Sequence, residues 1–467
     1  MAAVIDTIRR MSIRVEIDRW EWPAGNKKDT LDVTPDIMNY RFQKTIKNPQ
    51  GSCQLAVLPQ SADTHILDVL NLMDVIRIYE FGTLKFLGYI TRVSYSGSIN
   101  PSDGKPTRTA TLTCQQFGGL LVTANVGLGL GTALGLESDG LIDAAAALSK
   151  AILDASIDGV SFAEMVRVLI EAFIDYLTAI DATKFITYLD AYLDVGSGLT
   201  SSLAPAIPRT FELFNGTEQT LTFWQLAEQL VQKPFNEFWI DNGPRKVTID
   251  NKEVTLPEKA CLVFRETPFN GTKTNGVVGN AFDSLPAKRI DQNHLLQFDL
   301  AKSMDEVYTF YSVKQPAFEL SDLARLLLGQ AEVDKPLVGK YLFKPLITEL
   351  FYTRIEEIVG EDREITQGAA ETVSKEAAIT LLNWFTDNEN YLSGAITHMV
   401  PSNSDDDPKI GDKIEVYGIE GFFYVEGVAH TWQYQGALKS NLTVTRGFNR
   451  TKPIELKDKI FRRNAMS

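Results

Sequence analysis

Three strand-like runs occur twice in this chain, in the same order, once toward each end. The first set is Asp74-Val-Ile-Arg-Ile-Tyr79, Phe86-Leu-Gly-Tyr-Ile-Thr-Arg-Val-Ser-Tyr-Ser-Gly97 and Thr109-Ala-Thr-Leu-Thr-Cys114. The second is Asp412-Lys-Ile-Glu-Val-Tyr417, Tyr424-Val-Glu-Gly-Val-Ala-His-Thr-Trp-Gln-Tyr-Gln-Gly436 and Asn441-Leu-Thr-Val-Thr-Arg446. Aligning Gly88 with Gly427 puts Tyr95 on Tyr434 and Gly97 on Gly436. A chain built this way carries two similar β modules, so three copies present six. Such an object can mate threefold symmetry with sixfold symmetry.

The 467 residues suffice for two to four domains with sizeable cores. With 44% apolar and 23% charged residues the composition is that of a globular protein. A formal charge of −14 disfavours a grip on a phosphate backbone. The same charge suits a passage to which nucleic acid does not stick. Of the three cysteines, Cys53, Cys114 and Cys261, the first two lie on apolar strand faces and read as small buried hydrophobes of a reducing compartment. Their odd number and wide spacing fit neither a disulfide framework nor a zinc site. The first ten residues hold no apolar core of signal-peptide length. The apolar run Val126–Leu136 is closed by Glu137 and Asp139, well short of a bilayer span. The expectation is a protein folded in a cytoplasm, without membrane insertion.

Alternation at period two fills residues 12–120: Ile13/Val15/Ile17, Met38/Tyr40/Phe42, Cys53/Leu55/Val57 and Ala110/Leu112/Cys114 each share a face. Asn48-Pro-Gln-Gly51 and Asn100-Pro-Ser-Asp-Gly104 carry turn chemistry. Residues 1–125 therefore read as a β domain, a small barrel or a strongly curved sheet. A helical block, 126–210, interrupts it: Leu141/Ala145/Leu148/Ile152 and Phe162–Leu177 have helical spacing, and a third run covers Thr183–Leu193. An α+β unit follows at 211–275, with helix Phe223–Gln232, strand Asn236–Asp241, a turn at Asp241-Asn-Gly243, a return strand Lys246–Asp250 and strand Ala260–Arg265. Residues 276–395 read as a mixed connecting domain with helices at Leu320–Leu328 and Ser374–Phe385, 396–448 as the second β module, and 449–467 as a charged tail. In the second module a bulge near Gly427 would bring Phe423, Val425, Val428, His430 and Trp432 onto one core.

Motifs for chemistry are weak. Gly129-Leu-Gly131-Thr-Ala-Leu-Gly135 resembles a loose dinucleotide fingerprint, but the position for its acidic partner falls in Ala-rich helix, so a packing glycine segment is the better reading. His65, His294, His398 and His430 lack ligand spacing, and His430 reads as a satisfied, half-buried strand residue. Asp405, Asp406 and Asp407 lack the glycine and closing glutamate of a calcium loop; a solvated turn is favoured over a weak cation site. No catalytic residue and no cofactor is assigned.

Two blocks bear a family likeness. Phe223-Trp-Gln-Leu-Ala, Lys233-Pro-Phe-Asn-Glu-Phe-Trp-Ile-Asp241 and Leu262-Val-Phe-Arg-Glu-Thr-Pro-Phe269, followed by Gly411-Asp-Lys-Ile-Glu-Val-Tyr, Tyr424–Trp432 and Leu442-Thr-Val-Thr-Arg-Gly447, resemble phage baseplate hub proteins in order and spacing. The helical block has no counterpart in that pattern. The resemblance implies two tube-type antiparallel β-barrel domains in an α+β, β-rich chain. It also implies a homotrimeric pseudo-sixfold ring between a hexameric tail tube protein and a trimeric spike protein, in a phage tail or related contractile injection system. Further partners would be the tape measure protein and baseplate wedge proteins. DNA would pass the lumen unbound, in a virion tail baseplate assembled in the host cytoplasm.

The interface candidates on this reading are Pro234-Phe235 and Pro268-Phe269 as packing anchors, and Asn236 and Glu237 satisfying turn backbone groups. Arg265 and Arg446 are placed at strand ends, facing carboxylates at seams, and His430 and Trp432 on the second module's core face. For each, a purely fold-defining role is the alternative. The competing functions are a tail-associated cell-wall hydrolase and a tube or neck protein of the same device.

Overall fold

The computed structural model describes residues 13–21, 25–58, 69–99, 106–123, 125–126, 183–194, 221–230, 234–242, 245–249, 252–256, 258–269, 285–305, 307–314, 330–349, 388–403, 406–419 and 421–448, with Phe282 and helical positions between 171 and 178 and between 378 and 385. The Gly-rich run, Leu141–Ile152, Asn100–Gly104, Leu320–Leu328, Asp405 and the tail lie outside these.

The chain is β-rich, and one mainly antiparallel sheet of 13 strands organises it. Its first half holds β1 (Ile13–Glu21), β2 (Asn26–Asp32), β3 (Ile37–Thr45), β4 (Asn48–Val57), β5 (Val75–Glu80), β6 (Thr83–Ile99) and β7 (Pro106–Gln116). Its second half holds β8 (Ala287–Ile290), β9 (Leu295–Ala301), β10 (Leu392–Met399), β11 (Lys413–Val416), β12 (Phe422–Gln433) and β13 (Lys439–Phe448). The path runs β9-β10-β13-β12-β3-β4-β7-β6-β5-β1-β2, with β11 pairing both β12 and β8. The path is open: no strand among those described closes it into a barrel. Strand β2 ends it with Asn26, Lys27, Lys28, Asp29, Thr30 and Asp32 exposed.

The two halves follow one plan. Reading β3-β4-β7-β6-β5-β1 against β9-β10-β13-β12-β11-β8 gives the same strand order in sequence and in space. At the end of β5, Ile90 N donates to Asp74 O (2.9 Å) and Met73 N to Ile90 O (2.8 Å); at β11, Val425 N donates to Asp412 O (3.0 Å) and Gly411 N to Val425 O (2.8 Å). Met73 and Gly411 share a left-handed backbone, φ 70° and 82°. A one-residue bulge follows in each half, at Thr91 in β6 and at Glu426 in β12. A second matched pair of bulges falls at Met38 in β3 and Leu296 in β9.

This backbone match corrects the sequence alignment. Ile90 corresponds to Val425, so Gly427 falls on Arg92 and not on Gly88. The two registers differ by an even number of residues, so alternation alone could not tell them apart. The bulge, set near Gly427 from sequence, is one residue earlier. The second half of the sheet also begins well before residue 396, because β8 and β9 pair into it. The halves differ at two places. β1 runs antiparallel to β5, whereas β8 runs parallel to β11. A two-residue turn joins β3 to β4, whereas 302–391 separate β9 from β10.

The strands form where sequence alternation expects them: Val15, Ile17, Phe42, Leu55, Leu112 and Cys114 are buried in the first core, and Ile396, Ile414, Phe423, Val425 and Leu442 in the second. The Asn48-Pro-Gln-Gly51 segment lies inside β4, and the turn is at Ile46-Lys47 instead, where Asn48 N donates to Thr45 Oγ1 (3.0 Å). Thr183–Tyr188 is a 3₁₀ turn and Leu189–Asp194 a strand, so the run read as a third helix is not one. That strand runs parallel to Ala260–Glu266, which is also the antiparallel partner of Asn236–Asn242. The expected return strand from Asp241 pairs elsewhere: Arg245–Ile249 forms a hairpin with Lys252–Leu256. Leu381 and Trp384 of the described 378–385 positions are buried against Tyr311 and Val313, with Ala378 beside them. No helix among the described residues is long and apolar enough to cross a membrane.

Candidate functional site: the seam between the halves

The halves join through β12 and β3, antiparallel, from Gly427 opposite Thr45 to Gln433 opposite Asn39. Beneath this ladder lies a buried polar cluster drawn from both halves. Glu80 closes β5 with its two carboxylate oxygens directed at Tyr40 Oη and His430 Nδ1, each at 2.6 Å. The Tyr40 hydroxyl donates to the first of these. Lys85 of β6 donates to Asp407, and His430 Nε2 lies 3.9 Å from the same carboxylate. Lys44 Nζ and Asn242 Nδ2 both donate to the Lys85 carbonyl, at 2.9 and 3.1 Å. Lys288 Nζ reaches the Asp407 carbonyl at 2.6 Å and the Asp412 carboxylate at 3.0 Å.

Electrostatics follow from burial. Removal from water alone would raise the Asp407 pKa, but the Lys85 ammonium, with His430 and His398 nearby, brings it down to about 2. Burial lowers the Lys44 pKa against the pull of Asp241, and burial together with the Glu80 charge drives the Tyr40 phenol well above its usual value. His398, 1% exposed, is pushed down chiefly by burial and stays neutral; its Nδ1 lies 2.9 Å from Met399 O. A cavity of about 20 Å³ touches Asn242, Asp407 and His430, room for one water molecule. The cluster is a fastener: each charge has an opposite charge or a carbonyl beside it, and none faces an open cleft.

His430 is thus fully buried, where sequence reading left it half-buried. Trp432 stacks on Tyr40 across the seam, ring centres 5.9 Å apart. Asp407 turns inward to Lys85, and Asp406 accepts from Asn403 Nδ2 (2.9 Å); Asp405 lies outside the described residues. Sequence reasoning missed Glu80, Lys85 and Lys44. Their period-two spacing on β3, β5 and β6 looked like ordinary strand polarity, and only the sheet brings them to His430.

The other candidates gather in a second knot. Phe235 and Phe269 are buried with Trp384 and Tyr424, at centroid distances of 5.6 Å (Phe235–Trp384) and 5.1 Å (Phe269–Tyr424). The Arg446 guanidinium lies over Phe269 (3.8 Å to the centroid), Phe385 and Tyr391, and donates to the Trp384 carbonyl at 2.8 Å. It was expected to face a carboxylate; it sits in an aromatic cage instead. Glu237 accepts from the Tyr424 hydroxyl. Pro234 O accepts from Thr267 Oγ1 (2.6 Å), Pro268 is buried beside it, and Asn236 is buried opposite Glu266. Arg265 is placed by backbone alone, opposite Glu237.

A cleft of about 720 Å³ opens at the far end of the first half, lined in part by Arg19, Trp20, Leu72, Asp74 and Lys184. Of its two acidic residues, Glu21 and Asp74, Asp74 accepts from the amides of Trp20 (3.2 Å) and Asn71 (2.8 Å).

This architecture, a doubled strand module fused edge to edge, is similar in fold to a solved tail protein. The tail protein from Neisseria meningitidis MC58 superposes with a TM-score of 0.50 at 11% identity, covering 93% of this chain and 96% of that one. The 43 kDa tail protein of prophage MuSo2 from Shewanella oneidensis gives 0.48 at 11% identity over 93% and 98%, and a prophage tail protein from Listeria monocytogenes EGD-e 0.40 at 9% over 94% and 95%. No protein-family model matches the sequence, and no curated protein matches it. At these identities the likeness to the Neisseria protein speaks for fold alone.

Proposed function

We propose that this chain is a structural baseplate hub of a phage tail or related contractile injection system. Three copies form a pseudo-sixfold ring joining a hexameric tail tube to a trimeric spike. The observation that carries this is the doubling: two halves with one strand order and two matched bulges, locked in a single sheet by a buried charge cluster. Each half would act as one tube-type module, and closure into a barrel would come from assembly. The division into modules at 1–125 and 396–448, the latter extended by β8 and β9, with inserts between them, belongs to this proposal. So do contacts with the tape measure and wedge proteins, passage of DNA without specific binding past a net acidic chain, and the virion baseplate location.

Native mass measurement of the purified chain tests it. Three copies support the hub; six point to a tube protein, and a stable single copy at tail-assembly concentrations removes the ring. A peptidoglycan zymogram separates the hydrolase reading, since clearing by the purified chain would make it an enzyme.

A further inference from the structure

Leu342 is the most exposed large apolar side chain among the described residues, at 77%, and its neighbour Phe343 stands at 62%. Both lie in 302–391, the stretch with no counterpart in the first half, where β3 turns directly into β4. Leu342 ends the helix Lys335–Tyr341 with φ 64° and ψ −166°, a backbone region that is essentially glycine's own. A leucine held there costs free energy that glycine would not. The surroundings keep it in place. Leu342 N donates to Val338 O (3.0 Å). The fully buried Thr309 hydroxyl donates to Leu342 O (2.9 Å) and accepts from Lys344 N (2.8 Å). Thr309 N donates in turn to Lys344 O (2.9 Å), and the Phe343 ring leans on Phe310, centroids 4.9 Å apart. The two side chains are set in position before anything touches them.

They stand over an apolar face. Strands Gln330–Val333, Phe310–Lys314 and Pro345–Glu349 form a three-stranded sheet, and Val333, Phe310 and Ile347 share one side of it. Tyr311 and Val313, on the other side, are buried against Trp384 and Leu381. Val333 and Ile347 are exposed, as is Met304, whose carbonyl takes the Lys344 ammonium. The rim is cationic, with Lys302, Lys335 and Lys340 exposed. The acids beside them are engaged. Asp334 caps the helix at Leu337 N (3.1 Å), Glu389 accepts from Lys340 and Tyr341, and Asp305 accepts from Ser303 Oγ (2.7 Å). Exposed ammoniums around an apolar face, in a chain of formal charge −14, complement a surface with an apolar centre and a carboxylate rim.

We infer that Leu342 and Phe343 form a pre-set anchor that enters an apolar, carboxylate-rimmed pocket of another protein in the assembly. Side chains already in their bound positions cut the ordering cost of association, and aromatic and methionine side chains such as Phe343, Phe310 and Met304 are what interface cores favour. The anchor occurs once per chain, on an insert and not in the repeated module, so it serves a partner that meets each chain once. The anchor rests on the geometry of 302–349; the placing of its partner in a tail rests on the hub reading.

The test is the full-length chain in assembled tails with p-benzoylphenylalanine in place of Phe343. Irradiation should give one adduct, between this chain and one other tail protein, identified by mass spectrometry. Leu342→Gly in the same background should cut the adduct at least tenfold, or stop tail assembly. The same substitution should raise the urea midpoint of the purified chain, because strain leaves with the side chain. Lys335→Glu should weaken the adduct, most at low salt. An adduct between two copies of this chain, an adduct that Leu342→Gly leaves intact, or no adduct in tails that contain the chain overturns the anchor and leaves the hub reading standing. A lowered urea midpoint for Leu342→Gly makes Leu342 a fold-holding residue and overturns it too. Tails that form without the chain defeat both.

Discussion

The two halves of the sheet share a backbone and almost nothing else. Where the first places Val57 opposite Ala110, the second places His398 opposite Ser440; where the first turns between β3 and β4 in two residues, the second inserts 302–391. Yet both bulges and the left-handed residue before them stay in register. What persists is hydrogen-bond geometry, which any alternating sequence can satisfy. What diverges is side-chain content, and that is where the halves acquire separate duties. The polar fastener uses Glu80 and Lys85 from the first half and Asp407 and His430 from the second, so neither half could assemble it alone.

The severest way to break the comparison is to delete a bulge residue. Removing Glu426 keeps Phe423, Val425, Val428 and His430 on one face, now in regular alternation, but straightens the strand and takes away the carbonyl that accepts from Ile46 N. We expect a loss of about 5 kcal/mol in urea unfolding, and the same for removing Thr91. Replacing either by Ala should shift stability by no more than about 1 kcal/mol. If one deletion is tolerated, the halves are not equivalent there.

Next comes the fastener. Lys85→Met leaves Asp407 buried without its cation and should lose about 3–5 kcal/mol in urea unfolding; adding Asp407→Leu should recover most of it. The folded-state pKa of Asp407, about 2, lies below its unfolded value, so its contribution is full above about pH 4 and is lost as pH falls toward 2. That acid limb should be present in the parent protein and absent in the double variant.

The smallest effect comes from transplanting one pair. His398 Nε2 and Ser440 Oγ are buried without a hydrogen bond among the described residues. His398→Val with Ser440→Ala copies the Val57/Ala110 pair of the first half, and at pH 8 stability should change by about 1 kcal/mol or less. Because the folded-state pKa of His398 is depressed, its contribution is full above about pH 6.5 and declines as pH falls below that. The transplant should flatten stability between pH 6.5 and 5; an unchanged slope would place the proton uptake elsewhere.

Strand content and core faces were legible because half-buried strands alternate: Val15, Phe42, Leu55 and Leu112 are where the pattern puts them. The duplication was legible too, though its register was not, since a slip by an even number of residues keeps every side chain on its face. Leu189–Asp194 was misread because a short apolar run following helical spacing does not declare its period until a neighbouring strand takes it up. The bulge argument put His430 and Trp432 on the second module's core, whereas Trp432 packs against the first, which holds Tyr40 and Phe42. Glu80 and Lys85 were missed, because a charge on a strand looks solvated until another strand, far away in sequence, covers it. Arg446 was expected to seek a carboxylate, but Phe269, Phe385 and Tyr391 converge on it only in three dimensions.

Strand β2 gives the sheet a blunt end. Lys28 and Asp32 stand exposed along it, beside the Lys27–Asp18 and Arg19–Asp29 pairs, and a charged edge is a poor bed for a stray β segment. Among the described residues no strand pairs with the outer side of β2, so its charge is what guards that margin. With this margin closed to newcomers, faulty polymers have fewer ways to start, and crowding of many copies in one cell becomes tolerable. Swapping Lys28 for valine would reopen that route and should show first as turbidity during expression.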